Sequence, residues 1–194
     1  YLDQRGVRRG DVVAWLLPND STFLECTLAC AWIAAVGLPI NVRLSADEIA
    51  YILAHSQVRL IIADRRYAHL LTGKFAEGSP RTVMSSASMS PWSEQIADMS
   101  SHASPPVSNV GPSDLMRLMY TSGTTSRPKG VMLTYGNLEA KNKAHRKALR
   151  LSTDDRGLGC GPLYHVGGLD LITTTFLDLG APIHVQQGFD VGRV

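Results

Sequence analysis

No stretch of this sequence reads as a membrane span. The richest apolar run, Phe23 to Leu38, is interrupted by Glu25 and falls short of the roughly 20 residues a bilayer crossing needs. A buried helix is the expectation there. The N-terminus also lacks a basic start followed by an apolar stretch and a small-residue cleavage site, so it does not read as a secretory leader. Cysteine is scarce: Cys26, Cys30 and Cys160 make an odd set of three. That argues against a disulfide framework and for a reducing, cytoplasmic setting. Cys26 and Cys30 stand one helical turn apart, but no compact set of His or Cys completes a metal site around them, so a buried structural role is expected. Charge of one sign is missing too. Nineteen Lys and Arg against 17 Asp and Glu leave a formal charge of +2, too little to call for a nucleic acid or an acidic membrane as partner.

What is present is an ordinary globular composition, 44% apolar and 19% charged over 194 residues, with length enough for a real core. Val12 to Leu17 reads as a buried strand closed by the turn Pro18-Asn19-Asp20. Asp20 or Ser21 then caps a long helix expected to end near Gly37, before Pro39. Ser45-Ala46-Asp47-Glu48 has the form of a capping box, opening a helix through His55 with Ile49, Ile52 and Leu53 inward. Val58 to Ala63 is a second buried strand. Strands alternating with helices point to an α/β fold of layered parallel or mixed sheets flanked by helices. Residues 85–113, rich in Ser and Pro, read as a linker or surface loop with one helical turn around Trp92 to Ala97. They separate a first α/β half, 1–84, from a second half, 114–194. In that half Leu115 to Thr121 and Val131 to Thr134 are strands, and Asn137 caps a basic helix through Leu149. Arg156 to Gly161 is a strand, Gly167 to Leu179 a helix, and Ala181 to Gln186 a strand.

Between the first two of those strands lies Tyr120-Thr121-Ser122-Gly123-Thr124-Thr125-Ser126-Arg127-Pro128-Lys129-Gly130. Gly123 admits backbone angles that turn successive N–H groups toward one point. Thr121, Ser122, Thr124, Thr125 and Ser126 supply hydroxyl donors, and Arg127 and Lys129 supply cations whose hydrogen bonds to phosphate are strong. The pattern suits a polyanion. It is not a Walker loop, which needs Gly-Lys-Ser or Gly-Lys-Thr entering a helix; here Pro128 precedes Lys129 and a β-like run follows. A P-loop NTPase is therefore disfavoured, and the donors must come from backbone and hydroxyls between two strands. The bland alternative is a Ser/Thr/Gly-rich turn with no ligand.

The order of these residues resembles the signature loop of the adenylate-forming, AMP-binding superfamily: acyl- and aryl-CoA synthetases, peptide-synthetase adenylation domains and luciferases. The family form is Tyr-Thr-Ser-Gly-Thr-Thr-Gly-x-Pro-Lys-Gly-Val, and Tyr120 to Val131 departs from it only at Ser126. The segments Gly6-Val7 through Gly10 to Ala14 and then Leu17-Pro18-Asn19, Gly37 to Asn41 with Leu44 and Glu48, and Pro162-Leu163-Tyr164-His165-Val166-Gly167-Gly168 also look like family stretches. The resemblance implies part of a large N-terminal domain, with Thr121, Ser122, Gly123, Thr124, Thr125, Ser126 and Lys129 on the phosphates of ATP and Thr121 near Mg²⁺. It implies His165, Val166, Gly167 and Gly168 at the acyl pocket, with His165 as the nearest candidate for a catalytic residue; the other reading of His165 is a satisfied core or loop histidine. Asp170 follows the Gly pair, which favours an uncharged acyl or aryl carboxylic acid over an amino acid.

The implied reaction is carboxylate plus ATP to acyl-adenylate and pyrophosphate, then transfer to the thiol of CoA or of a carrier protein's pantetheine. The basic helix from Asn137 reads as a solvated face; the alternative is a contact with CoA phosphates or an acidic carrier. A hydrolase triad lacks its Gly-x-Ser-x-Gly elbow. The family's Tyr-Gly-x-Thr-Glu stretch, its ribose-binding Asp and its C-terminal domain with the catalytic Lys are not in this chain, which also opens on Tyr1 without Met. The expectation is a piece of a ligase missing the C-terminal part of its own chain and inactive alone. A non-catalytic nucleotide- or acyl-binding module is the alternative.

Overall fold

The run Val-Val-Ala-Trp-Leu forms β1, Val12–Leu16. Beside it lie β2, Val36–Pro39, and β3, Leu60–Asp64, both parallel to β1. Near-continuous apolar strands of this kind are buried on both faces. The computed structural model describes residues 1–76, 78–79, 81–85, 107–121 and 127–193. Within it β4, Thr82–Ser85, pairs in parallel with β3, and β5, Leu115–Thr121, pairs in parallel with β2. The antiparallel β6, Lys129–Thr134, completes a six-stranded mixed sheet of order β4-β3-β1-β2-β5-β6. Stretches on both sides of residues 86–106 thus enter one sheet. A separate parallel pair is made by β7, Gly157–Gly159, and β8, Ile183–Val185.

Side chains alternate across a strand, and β1 shows the consequence. Val13, Trp15 and Leu17 join one core with Phe23, Cys26 and Cys30 of helix α1, Ser21–Trp32, and with Leu163 and Leu169. Ala14 and Leu16 join the other core with Ile49, Ile52 and Leu53 of helix α2, Ala46–His55. Each face of the sheet therefore carries one of these helices. Cys26 and Cys30 are buried in α1's core face; burial pushes both thiols up, Cys30 to about 12. They are packing groups, and among the described residues no cluster of His, Cys, Asp or Glu could hold a metal. No described helix is long and apolar enough to cross a membrane.

Local signals place most boundaries. Asp20 accepts from the Phe23 N–H at the start of α1, and Ser45 with Glu48 makes the reciprocal box that opens α2. Three expectations need correction. The first helix stops at Trp32, not near Gly37: Ala34 takes a left-handed φ of 55° and Val36-Gly37-Leu38-Pro39 becomes β2. The slot between β1 and β5 overrides local helix preference, and Gly37 fits it because a Cβ there would sit 2.8 Å from the Trp15 ring. Helix α3 runs from Tyr135 to Leu149 and is capped by Thr134, not Asn137. The Asn137 N–H donates to Thr134 Oγ1 at 3.1 Å, and Asn137 Oδ1 accepts from the Thr134 N–H at 3.0 Å. Asn137 has the reciprocal place in the box. The expected Gly167–Leu179 helix is a π-helix, Gly167–Thr173, continued by α4, Thr174–Leu179. The expected turn at Trp92 to Ala97 lies outside the described residues.

Because Trp15 fills the space beside Gly37, Gly37→Ala overpacks the sheet centre. It is expected to lower the unfolding free energy by about 1–3 kcal/mol, read as a shifted urea midpoint at unchanged slope. An unshifted midpoint would show that β2 is not seated under Trp15.

Candidate functional site

The expected strand–loop–strand is present. β5 and β6 pair through Tyr120↔Gly130 and end on Thr121↔Lys129. A strand, not a helix N-terminus, follows Arg127 and Pro128. Ser122, Gly123, Thr124, Thr125 and Ser126 lie outside the described residues. Thr121 and Lys129 are exposed and opposite one another at the hairpin root, a cross-strand pair on one face. By the two-residue period that face is also the face of Arg117, about 13 Å back along β5.

Tyr120 points to the other face. It lies over Gly130, where a Cβ would come within 3.0 Å of its ring. Its hydroxyl is 2.7 Å from Nδ1 of His55 on α2, and the two rings meet edge-on. His55 stacks on Tyr51 one turn earlier, and the Arg127 guanidinium sits 5.3 Å over the Tyr51 ring. Burial pushes the Tyr120 phenol above its ordinary value, with Tyr51 adding to the effect. Tyr51 and His55 carry no sequence signal of a site; in the sequence they are helix residues at i and i+4.

The segment Pro162 to Gly168 is pinned by Asn19, in the turn after β1. Its Oδ1 accepts from the Leu163 N–H at 2.9 Å, and its Nδ2 donates to the Gly161 carbonyl at 2.8 Å. As sequence, Asn19 reads only as a turn residue. His165 and Val166 are exposed, and His165 Nδ1 accepts from the Gly167 N–H at 3.2 Å. The two glycines differ. A Cβ on Gly168 would lie 2.4 Å from the Pro162 carbonyl oxygen, so its missing side chain lets backbone pack on backbone. A Cβ on Gly167 would meet only the His165 ring, at 3.4 Å. Open space adjoins Gly167 rather than Gly168.

Asp170 is 2% exposed and forms an ion pair with Arg117, 1% exposed. One further atom of each, Asp170 Oδ2 and Arg117 Nη2, is buried without a partner. Lys141 of α3 donates to the Asp170 carbonyl oxygen and to Thr174 and Thr175. Burial lowers the Lys141 ammonium to about 8; Asp170 opposes that shift and Arg117 adds to it. α3 is therefore not only a solvated basic face, since Lys141 ties it to the π-helix. A cavity of about 400 Å³ opens beside Tyr164, lined also by Leu17, Arg43, Arg66, Tyr67 and Cys160. Arg66 is committed to Asp64 through two 2.9 Å hydrogen bonds. Those bonds hold Asp64 below its ordinary value although burial pushes the other way. Arg43 is exposed, and its guanidinium makes no ion pair or hydrogen bond among the described residues.

Comparison with known proteins agrees with this layout. The family model described as AMP-binding enzyme matches residues 1–193. A feruloyl-CoA synthase of Amycolatopsis sp is 36% identical over 189 residues, covering 97% of this chain and 36% of that protein. The crystal structure of ATP-bound MatB from Rhodopseudomonas palustris superposes with a TM-score of 0.87 at 24% identity, covering 99% of this chain and 38% of that one. The structure of o-succinylbenzoate coenzyme A synthetase from Bacillus subtilis, in complex with ATP and magnesium, gives 0.80 at 23% identity, with 99% and 48% covered. The two solved structures share the fold. The chain spans little more than a third of the length of the curated relative, 36%.

Two measurements test the polar cluster. Arg117→Met leaves the Asp170 carboxylate buried and unpaired, at an expected cost of about 3–5 kcal/mol; the Arg117→Met/Asp170→Leu pair should recover most of it. A single variant as stable as the parent in urea would mean the pair is not buried. Lys141 binds its proton less readily folded than unfolded, so its contribution to stability should rise from about pH 8 upward. The melting temperature of the parent minus that of Lys141→Met should therefore grow between pH 8 and 10; a flat difference would place Lys141 in solvent.

Proposed function

The chain belongs to the AMP-binding enzyme family, and we propose that it is the phosphate-holding and acyl-pocket part of an ATP-dependent, AMP-forming acyl- or aryl-CoA ligase. The observation that carries this is the shared face of β5. Thr121 and Lys129 at the hairpin root lie on the same side of the sheet as Arg117, whose partner Asp170 belongs to the segment directly after Pro162 to Gly168. Polyphosphate and acyl groups would then be held on one side of one sheet, about four residues of strand apart.

In the reaction a carboxylate oxygen attacks the α-phosphorus of ATP, the bond to the bridging oxygen breaks, and pyrophosphate leaves. Thr121 and Ser122 through Ser126 supply donors to the β- and γ-phosphates, and the Lys129 ammonium offsets the charge that collects on the leaving group. Magnesium, when bound, would be held on the protein side by the Thr121 hydroxyl and would offset negative charge on the phosphates. The donor set fits such an ion, because magnesium at nucleotides is held largely by phosphate and water with one or two protein oxygens; the Thr121 hydroxyl is the protein ligand we assign. His165, Val166 and Gly167 border the acyl group, and the Asn19 clamp keeps that segment still.

Asp170 is spent on Arg117, so no free carboxylate of this segment meets a substrate ammonium. That favours an acyl or aryl carboxylic acid without an amino group, in line with the feruloyl-CoA synthase relative. In the second step the acceptor thiol attacks the acyl carbon and AMP leaves. Arg43, uncommitted at the mouth of the cavity beside Tyr164, favours an anionic acceptor such as CoA; a pantetheine arm on a carrier protein is the variant. The three cysteines are free thiols, which supports a cytoplasmic parent protein. The 194 residues alone contain no Tyr-Gly-x-Thr-Glu stretch, and without that contact to adenine they should not turn over.

In the full-length protein, Lys129→Ala should slow carboxylate-dependent exchange of pyrophosphate into ATP by about a hundredfold, with the melting temperature unchanged because Lys129 is exposed. Exchange at the parent rate would remove the phosphate role. The isolated chain mixed with ATP, magnesium and a panel of aryl acids should release no pyrophosphate above background.

A further inference from the structure

The face of the hairpin turned away from Thr121 and Lys129 is gripped by α2, and nothing in the reaction described above uses that grip. Four contacts converge there. Tyr120, one residue before Thr121, reaches His55 Nδ1 at 2.7 Å with its hydroxyl. Its ring meets the His55 ring edge-on, with centroids 5.9 Å apart. His55 is stacked on Tyr51 at 5.4 Å. Arg127, two residues before Lys129, lies over the same Tyr51 ring at 5.3 Å. Gly130, paired with Tyr120 across the hairpin, leaves the room that the Tyr120 ring occupies.

We propose that Tyr51 and His55 are positioning residues for the ATP-dependent step: they hold the two ends of the hairpin root from behind and so fix the separation and aim of Thr121 and Lys129. The inference rests on the phosphate-holding role given to those two residues above. It also divides the loop's cations. The Arg127 guanidinium is engaged by the Tyr51 ring, a cation–π contact that keeps it on the α2 face, whereas Lys129 has no ion pair among the described residues and stands on the opposite face. Arg127 is thus a tether and Lys129 the phosphate cation. Thr121, and Lys129 paired with it, face away from Tyr120, whereas Arg127 lies before the start of β6 and turns to the Tyr51 ring. Two strand ends held by a helix cost less ordering when the nucleotide arrives than two free ends, and small misplacements near the reacting groups carry large rate penalties.

The test uses the full-length protein and the ATP–pyrophosphate exchange assay with His55→Phe, which keeps a ring against Tyr51 and Tyr120 but removes Nδ1, with Tyr120→Phe, the double variant, and Lys129→Ala as reference. Each single variant removes the same hydrogen bond, so each should lower kcat/KM for ATP by about fivefold, with KM for the carboxylic acid and the melting temperature unchanged. The double variant should be no worse than either single one, the mark of a shared interaction. Arg127→Gln should cost far less than Lys129→Ala. A double variant whose loss is the product of the single losses would overturn the proposal. So would unaltered ATP kinetics in the single variants beside a strongly impaired Lys129→Ala, which would leave the phosphate role standing. A silent Lys129→Ala would remove both.

Discussion

The seat of β5 against β2 governs what the rest of the molecule can do. Gly37 and Arg117 are partners across that pairing, and the position is crowded from two sides. Trp15 occupies the space beside Gly37, and Arg117 carries a buried guanidinium into the face where Cys30 and the π-helix lie. A cation there is tolerable only because Asp170 meets it; an isolated buried charge would cost far more than the packing returns. The π-helix that supplies Asp170 must then stay against β5, and the Pro162 to Gly168 segment comes with it.

From that seat the two faces of the hairpin acquire different work. One face shows Arg117 and then Thr121 with Lys129, and has the Pro162 to Gly168 segment alongside. The other shows Leu118 and Tyr120, packed on the α2 core. The residues proposed to contact ligand and those proposed to support them are therefore separated by the thickness of a sheet. The same separation holds for charge. Arg117, Arg66 and Arg127 are each occupied, by Asp170, by Asp64 and by the Tyr51 ring. Lys129 and Arg43 are left facing outward without an ion pair among the described residues, which suits groups that meet substrate anions.

Several polar residues that look incidental along the chain hold the site together. Asn19, in the turn after β1, bonds both Gly161 and Leu163. Lys141, one of many cations on α3, reaches three oxygens at the π-helix–α4 junction. Gly168 lets two backbone segments touch. The Asn19 and Lys141 links span sequence separations that only the folded chain closes, while the Gly168 contact closes a local turn.

Sequence alone determined the pieces whose causes are local. The runs of β1 and β3, the Ser45–Glu48 box and the strand–loop–strand around the Gly/Ser/Thr-rich stretch were legible because burial period, capping and the Pro128-before-Lys129 order act over a few residues. Tertiary structure decided what depends on distant neighbours. It took Gly37 to Pro39 from the expected helix into β2, because a gap between β1 and β5 had to be filled. It moved the cap of α3 to Thr134, where the β6 strand ends. It assigned Asp170 to Arg117 and His55 to Tyr120, pairings between residues 53 and 65 positions apart. Those pairings leave no periodic trace, since a contact across a sheet is written in the topology and not in spacing along the chain.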